Sequence, residues 1–201
     1  MTYNLVLIDN YDSFTYNLLH ALLSVSGVSV DVFFNDKVDE QVLKKCDAVV
    51  LSPGPGLPSE AGSMPSIIQK YMHAKPMLGI CLGHQAIAEA NDAKLYQSPI
   101  LYHGIATPIH ITAENDPLFV DLPKQFQAGR YHSWMVDAAT LPLHFSIIAK
   151  DENDDIMALR HCTLPLVGLQ FHPESILTPL GNKIIANWLK HEIFTLRSIK
   201  N

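Results

Sequence analysis

The stretch PMLGICLGHQAIAEA, residues 76–90, decides the fold. Its first part, Pro76–Ile80, is mostly apolar, which is typical of a strand buried on both faces of a sheet. A predicted helix, Gly83–Ala90, begins after only two further residues. A buried strand that passes directly into a helix is the repeating unit of α/β proteins, so this stretch predicts a parallel sheet covered by helices.

The same alternation of strand and helix runs through the residues before this stretch. Apolar runs and helical spacing predict strands at Asn4–Asp9, Val28–Phe34 and Asp47–Leu51, and helices at Ser13–Ser24, Glu40–Lys45 and Met64–Met72. Crossovers between parallel strands place such helices on both faces of the sheet. Ligands bind beyond the carboxyl ends of such strands, where Asp9, Ser52 and Cys81 are expected.

The second half of the chain shows a different pattern. Between Lys94 and Leu169 the segments are short and alternate with turn residues, which predicts a small antiparallel sheet on one side of the parallel sheet. Its strands are predicted at Ile105–Thr112, Gln127–Tyr131, Phe145–Ala149 and Ile156–Leu159. Leu166–Phe171 is predicted to return to the main sheet, and Leu180–Leu196 to close the chain as an amphipathic helix.

The pattern as a whole predicts one α/β domain over residues 1–201, because no repeat, linker or low-complexity stretch interrupts the sequence. The expected architecture is a flavodoxin-like, central, mostly parallel sheet with helices on both faces and an added small antiparallel sheet. Of the 201 residues, 48% are hydrophobic and 17% charged, so a sizeable core can form.

Composition also excludes several kinds of partner. The net charge of −6 argues against nucleic acid as the main partner, because phosphate backbones attract clustered Lys and Arg. No apolar run approaches the ~20 residues that span a bilayer, so no membrane segment is expected. The N-terminus lacks a basic leader, and three widely spaced cysteines fit a reduced compartment, so a cytoplasmic location is expected.

The most specific chemical signal is Gly79-Ile80-Cys81-Leu82-Gly83, which has the form of a nucleophile elbow with cysteine in place of serine. The glycines let the strand turn sharply, and the thiol then lies at a helix N-terminus, where the dipole favours the thiolate. The amide of Leu82 points to where an oxyanion would form. The alternative is a buried structural cysteine beside two packing glycines. Cys46 and Cys162 lack this context and are interpreted as structural or incidental.

A cysteine nucleophile needs a base, and His172 is the candidate because it follows a predicted buried strand at the same sheet edge as Cys81. Glu174 is placed to accept a hydrogen bond from the imidazole and fix its tautomer. Alone, His-Pro-Glu is equally compatible with a surface or core role. A metal site is the competing use of these residue types. The zinc spacings His-Glu-x-x-His, Cys-x-x-Cys and a Pro-Cys-x-x-Cys after Glu174 are missing from the sequence, so no metal site is expected.

The loop Ser52-Pro53-Gly54-Pro55-Gly56 does not have the form of a phosphate-binding loop. It lacks the Gly-Lys-Ser/Thr of a P-loop, and its prolines offer no N–H to an anion. A loop that alternates Pro and Gly is stiff, and its glycine amides can approach a ligand closely. The alternative is a plain tight turn after a strand.

Four blocks together resemble the class I (triad) glutamine amidotransferases: Ser52-Pro-Gly-Pro-Gly56, Gly79-Ile-Cys-Leu-Gly-His-Gln85, Arg130-Tyr-His-Ser133 and Gln170-Phe-His-Pro-Glu-Ser175. The opening Asp9-Asn-Tyr-Asp-Ser-Phe-Thr-Tyr-Asn17 is similar to the small subunits that serve chorismate-using enzymes. These are anthranilate synthase component II and aminodeoxychorismate synthase component II. The likeness covers nearly the whole chain, in matching order and spacing.

The resemblance implies a role for each of these residues. Cys81 attacks the side-chain amide carbon of L-glutamine, His172 transfers protons, and Glu174 holds His172. The amides of Leu82 and Gly54 form the oxyanion hole. Glutamine is bound by Gly54, Pro55, Gly56, Gln85, Ser133 and Trp134. Trp134 stands where leucine is the usual residue, and Glu89–Lys94 lacks the glycine-rich turn expected there.

The resemblance also implies a partner, because free ammonia would be protonated in bulk water and must pass by a sheltered path to a chorismate-binding synthase subunit. We expect this partner to dock at Asn10, Tyr11, Asp12, Ser13 and Phe14; the alternative for this segment is a helix cap at Asp12 or Ser13. No cofactor is expected in this chain, and Mg²⁺ only on the partner. Trp134 favours the anthranilate (tryptophan) branch; the 4-aminobenzoate (folate) branch, or service to both, is the alternative.

Two other classes of function remain open at this point. A free-standing cysteine hydrolase acting on γ-glutamyl compounds would need no partner and would turn over fast alone. A non-catalytic regulatory or scaffold subunit would keep the fold without the chemistry. The presence of Cys81, His172 and Glu174 weighs against the scaffold.

Overall fold

A computed structural model describes residues 2–195 of the chain. The elements before the sharp turn at Cys81 are β1 (Tyr3–Asp9), α1 (Thr15–Leu23), β2 (Val28–Phe34), α2 (Glu40–Lys45), β3 (Ala48–Leu51), α3 (Met64–Tyr71) and β4 (Met77–Ile80). Those after it are α4 (Leu82–Glu89), β5 (Leu95–Gln97), β6 (Ile105–Ile111), β7 (Gln125–Arg130), β8 (Trp134–Val136), β9 (Phe145–Lys150), β10 (Ile156–His161), β11 (Leu166–Leu169) and α5 (Gly181–Trp188). Apart from the C-terminal helix, the predicted boundaries lie within two residues of these.

The main sheet has nine strands in the order β2-β1-β3-β4-β11-β10-β9-β6-β7. The first five strands in this order are parallel to one another, which confirms the predicted α/β fold. The four strands from β10 to β7 are antiparallel and extend the same sheet, because β10 pairs directly with the exposed edge of β11. The separate small antiparallel sheet consists of β5 and β8.

The helices cover both faces of the parallel strands, as the alternation along β1 illustrates. Leu5 and Leu7 belong to a core that includes Leu18 of α1 and residues of α5. Val6 and Ile8 belong to the opposite core, which includes residues of α2, α3 and α4. Successive side chains of a strand point to opposite faces, so a fully apolar strand is what two cores require.

The turn after α4 forms without the glycine that the resemblance led us to expect. Asp92 adopts the left-handed conformation, with φ +70°. The N–H groups of Asp92 and Ala93 donate to the carbonyls of Glu89 (3.0 Å) and Ala88 (3.1 Å), which is the Schellman pattern of a helix end. Aspartate tolerates this conformation better than most residues, so it replaces glycine here without loss of the turn.

The C-terminal helix departs from the prediction in its regularity. The predicted helix Leu180–Leu196 is α5 followed by a π-helical segment, Leu189–Thr195. Leu196 lies outside the described residues. Within residues 2–195, none of the helices combines the length and the apolar character needed to cross a membrane.

Candidate active site

The chain turns sharply at Cys81, between β4 and α4. Cys81 has φ +50° and ψ −99°, a conformation rare for a residue with a side chain. A Cβ on Gly79 would lie 2.4 Å from the carbonyl of Gly83, and one on Gly83 would lie 2.5 Å from the carbonyl of Leu51. Both glycines are therefore required for the strand and helix to approach this closely. The Cys81 N–H donates to the Leu169 carbonyl at 2.7 Å, which anchors the turn to β11.

The two predicted oxyanion donors lie side by side. The N–H of Leu82 is in the first turn of α4, where backbone amides have no acceptor within the helix. Gly54 packs directly against this residue, because a Cβ built on Gly54 would lie 2.9 Å from Leu82 Cδ2. The proline–glycine loop is thus held beside the elbow, as an oxyanion hole built from two segments requires.

Asn10 holds the start of this loop. Its Nδ2 donates to the Ser52 carbonyl at 3.0 Å, its N–H donates to Ser52 Oγ at 2.8 Å, and its Oδ1 accepts from Asn35 Nδ2 at 3.0 Å. Asn10 is only 3% exposed. We predicted it as a docking residue for the partner, but its side chain is buried because the Ser52–Gly56 loop folds over it.

The rest of that segment runs from the surface to the site. Tyr11 is 54% exposed and stacks on Phe34 at a ring distance of 4.5 Å. Phe14 contacts the ring of His172 at 5.4 Å and lies at the start of α1. The Asp12 carboxylate accepts from the Phe14 N–H at 2.8 Å, but the helix N-cap is Phe14, so the predicted cap at Asp12 or Ser13 is wrong by one or two positions.

His172 and Glu174 form a buried pair. Nδ1 of His172 donates to Glu174 Oε1 at 2.6 Å, and both side chains are almost fully buried. The backbone of His172 is fixed on both sides: its N–H donates to the Gly129 carbonyl, and its carbonyl accepts from Thr178 Oγ1. The second ring nitrogen, Nε2, is buried without a hydrogen-bond partner among the described residues. The ring is therefore oriented from one nitrogen and left free at the other.

Electrostatics separates His172 from the other buried histidines. Burial lowers the pKa of His84 to about 3, and burial together with the charge of Arg130 lowers that of His132 to about 2. Burial acts in the same direction on His172, but the charge of Glu174, polar contacts with Cys81 and Glu174 and the charge of Cys81 outweigh it and raise its pKa to about 10. His172 thus holds a proton at neutral pH.

The predicted glutamine-binding residues line one small cavity. It measures about 200 Å³ and is lined by Gly54, Pro55, Gly56, Cys81, Leu82, Gln85, Tyr131, His132, Ser133 and Trp134. This volume is below the ~300 Å³ of pockets for drug-sized ligands and suits a ligand the size of an amino acid. The structure therefore brings together the predicted nucleophile, the predicted oxyanion donors and the predicted substrate contacts.

Gln85 connects this cavity to a residue that the sequence did not single out. Its Nε2 donates to the Trp134 carbonyl at 2.8 Å and to Gln170 Oε1 at 3.1 Å. The Ser133 carbonyl accepts from the Ser98 N–H at 2.7 Å. Gln170 lies in a block that we quoted without giving it a role. One available signal was its spacing, since a residue two before His172 along an extended chain faces the same side.

A buried ion pair supports the wall formed by residues 131–134. Arg130 is 1% exposed, and its guanidinium contacts Asp151 at 2.6 Å. The guanidinium also stacks on Tyr102 at 3.4 Å, and Nε donates to His132 Nε2 at 3.1 Å. Each of these contacts fixes the residue that immediately precedes the cavity wall.

Replacing Asp151 by alanine is expected to destabilise the protein by about 3–5 kcal/mol, because it leaves the charge of Arg130 buried without a partner. Chemical denaturation monitored by circular dichroism measures the change in unfolding free energy. Glu114→Ala is the matched control, since it removes an exposed partner of Lys124 and should change stability little. Equal effects of the two substitutions would contradict a supporting role for the buried pair.

The other two cysteines lie in different surroundings. Cys46 is buried, which raises the pKa of its thiol, and its Sγ donates to the Leu43 carbonyl. Cys162 is exposed, next to Ser146. Among residues 2–195, His, Cys, Asp and Glu form no group of three or more suited to hold a metal ion.

Comparison with known proteins agrees with this geometry. Residues 6–191 match the family described as glutamine amidotransferase class-I. The chain is 43% identical over 189 residues to anthranilate synthase component 2 of Azospirillum brasilense, covering 92% of this chain and 94% of that protein. It is 41% identical over 188 residues to aminodeoxychorismate synthase component 2 of Escherichia coli, covering 92% and 98%. A crystal structure assigned to one of the GMP synthase subunits of Thermoplasma acidophilum has a TM-score of 0.88 and 26% identity, covering 100% of this chain and 98% of that one.

Proposed function

The chain belongs to the class I glutamine amidotransferase family, and from this premise we propose that it hydrolyses L-glutamine at Cys81 and delivers the ammonia to a chorismate-aminating partner chain. The observation that carries the proposal is the pairing of an elbow cysteine with a histidine whose free nitrogen is buried in the same site. Glu174 orients that histidine from its other nitrogen.

The first half of the reaction forms a thioester. The Cys81 thiolate attacks the side-chain amide carbon of glutamine, and the amides of Leu82 and Gly54 stabilise the oxyanion. When the tetrahedral species collapses, the C–N bond breaks, and His172 gives its proton to the leaving nitrogen. Ammonia departs, and a γ-glutamyl thioester remains on Cys81.

The second half restores the enzyme. His172, now neutral, takes a proton from water, and the oxygen attacks the thioester carbonyl. The C–S bond breaks, glutamate leaves, and the thiolate is regenerated beside the imidazolium. The sum is glutamine plus water giving glutamate plus ammonia. Each step requires a reduced thiol, and the free cysteines support a reducing, cytoplasmic location.

Two features support a second chain as the acceptor of ammonia. Relatives of about 40% identity are called component 2 of anthranilate or aminodeoxychorismate synthase. Exposed apolar residues also surround the site in sequence: Tyr11 and Tyr16 flank Phe14, and Ile176 follows Glu174 by two residues. Exposed aromatic and aliphatic side chains of this kind are typical of docking surfaces. The same surface argues against a free-standing hydrolase.

The product of the partner is proposed to be anthranilate. The second candidate is aminodeoxychorismate, which the similarity to the Escherichia coli relative supports. A non-catalytic scaffold is a poorer explanation, because it has no use for the buried His172–Glu174 pair beside a strained cysteine.

Transfer of labelled nitrogen tests the proposal. The chain is co-expressed with a chorismate-binding synthase chain and given glutamine that carries heavy nitrogen in its side-chain amide. We expect co-elution of the two chains and heavy nitrogen in the aromatic amine, whose mass identifies the branch. Cys81→Ser is the control and should give no labelled amine. Labelled glutamine hydrolysis without any transfer would leave the free-standing hydrolase as the better account.

A further inference from the structure

We propose that Gln170 is a further residue of the glutaminase site, whose side-chain amide donates a hydrogen bond to the Cys81 sulfur and holds the thiolate ready for attack. The Nε2 atom of Gln170 lies 3.6 Å from Cys81 Sγ, within hydrogen-bonding range for sulfur. The side chain is fully buried, at 0% exposure, so water does not compete for this contact. The inference rests on the function proposed above and adds a residue to it.

The sheet places Gln170 beside the nucleophile. β11 is the neighbour of β4 in the main sheet, and the two strands end at the same edge. Gln170 is the first residue after β11, as Cys81 is the first after β4. Its N–H donates to the Met157 carbonyl at 2.9 Å, so its backbone is fixed against β10 as well. Gln170 therefore reaches the sulfur from a rigid position.

A chain of hydrogen bonds fixes which end of the Gln170 amide faces the sulfur. The Trp134 carbonyl can only accept, so the group of Gln85 that faces it must be the NH₂. The same NH₂ donates to Gln170 Oε1. Gln170 must then direct its own NH₂ away from Gln85, toward Cys81. The orientation is thus dictated by a backbone carbonyl, and the sulfur receives a donor rather than an acceptor.

A donor at this point favours the charged form of the sulfur. An N–H aimed at a thiolate stabilises the anion, and hydrogen bonds to charged groups are stronger than those between neutral groups. The same contact stabilises the sulfur when it leaves the thioester in the second half of the reaction. Leu82 and Gly54 serve the oxygen of the intermediate, whereas Gln170 serves the sulfur.

The test is the pH dependence of alkylation at each cysteine, measured with iodoacetamide on the full chain bound to its synthase and read by mass spectrometry. Gln170→Met keeps the length of the side chain and removes the donor. We expect the midpoint of the Cys81 profile to rise by about one pH unit and the rate at neutral pH to fall about tenfold. Exposed Cys162 is the internal reference and should not change. Gln125→Met, on the exposed start of β7, is the matched control.

Two more variants keep the test decisive. Gln170→Glu preserves shape and places an acceptor against the sulfur, so its alkylation at neutral pH should fall further than that of Gln170→Met. Gln85→Met releases the Gln170 amide and should shift the profile in the same direction by less. A Cys81 profile equal to that of the unmodified chain in folded Gln170→Met and Gln170→Glu would overturn the role of Gln170. Loss of selective reactivity of Cys81 in the unmodified chain would instead overturn the proposed function.

Discussion

Replacing Cys81 by alanine is expected to abolish glutamine-dependent synthesis in the complete complex and to leave synthesis from added ammonium salts largely intact. Removal of the nucleophile eliminates the thioester route, and losses of this kind are on the order of a million-fold. The synthase site lies on the other chain and can still use ammonia from solution. Both activities are measured on the same preparation with glutamine or an ammonium salt as the nitrogen donor.

Cys162→Ala is the control for this prediction. Cys162 is exposed and outside the site, so its replacement should leave both activities unchanged. Loss of the ammonia-dependent activity in folded Cys81→Ala would contradict the division of labour between the two chains. Retention of glutamine-dependent activity would show that another residue is the nucleophile.

Replacing His172 by alanine is expected to reduce glutamine hydrolysis nearly as much as loss of Cys81, whereas Glu174→Gln should reduce it less, on the order of ten-thousand-fold. His172 carries the proton in both halves of the reaction, while Glu174 acts only through the imidazole. Steady-state release of glutamate by each variant measures the difference. Equal losses in the two variants would contradict this ranking.

Glu174→Gln should also change the pH dependence. Glu174 helps to raise the pKa of His172 from 6.5 to about 10, so the variant should lose the imidazolium, and with it activity, at a lower pH on the alkaline side. The sign for stability is the same. The charged pair contributes stability that is fully present below pH 6.5 and is lost as pH rises through about 10. An alkaline limb that does not move would contradict the pairing.

Local sequence was sufficient for the parts of the site that depend on local structure. The apolar run before Cys81 and the two glycines around it specify the elbow, because a strand-to-helix turn involves only neighbouring residues. The strand before His172 places it at the same sheet edge as Cys81, since β11 and β4 are parallel neighbours. These inferences needed periodicity and spacing alone.

The features that sequence reasoning missed depend on contacts between distant segments. Asn10 was expected at the surface because it is polar and follows a strand, but a loop more than forty residues away folds over it. The contact of Gln170 with Cys81 depends on the order of strands in the sheet and on the orientation imposed by Trp134. The extension of the parallel sheet by β10 likewise depends on which edge of β11 remained free.

The most direct test of the central claim is labelling with an electrophilic analogue of glutamine, followed by mass spectrometry of the peptides. A thiolate at the strand–helix corner, served by His172, predicts a single adduct on Cys81 in the complex. That adduct should be absent from Cys81→Ser, and Cys162 should stay unmodified. An adduct on another residue, or none at all with the synthase chain and chorismate present, would contradict the claim that Cys81 attacks glutamine.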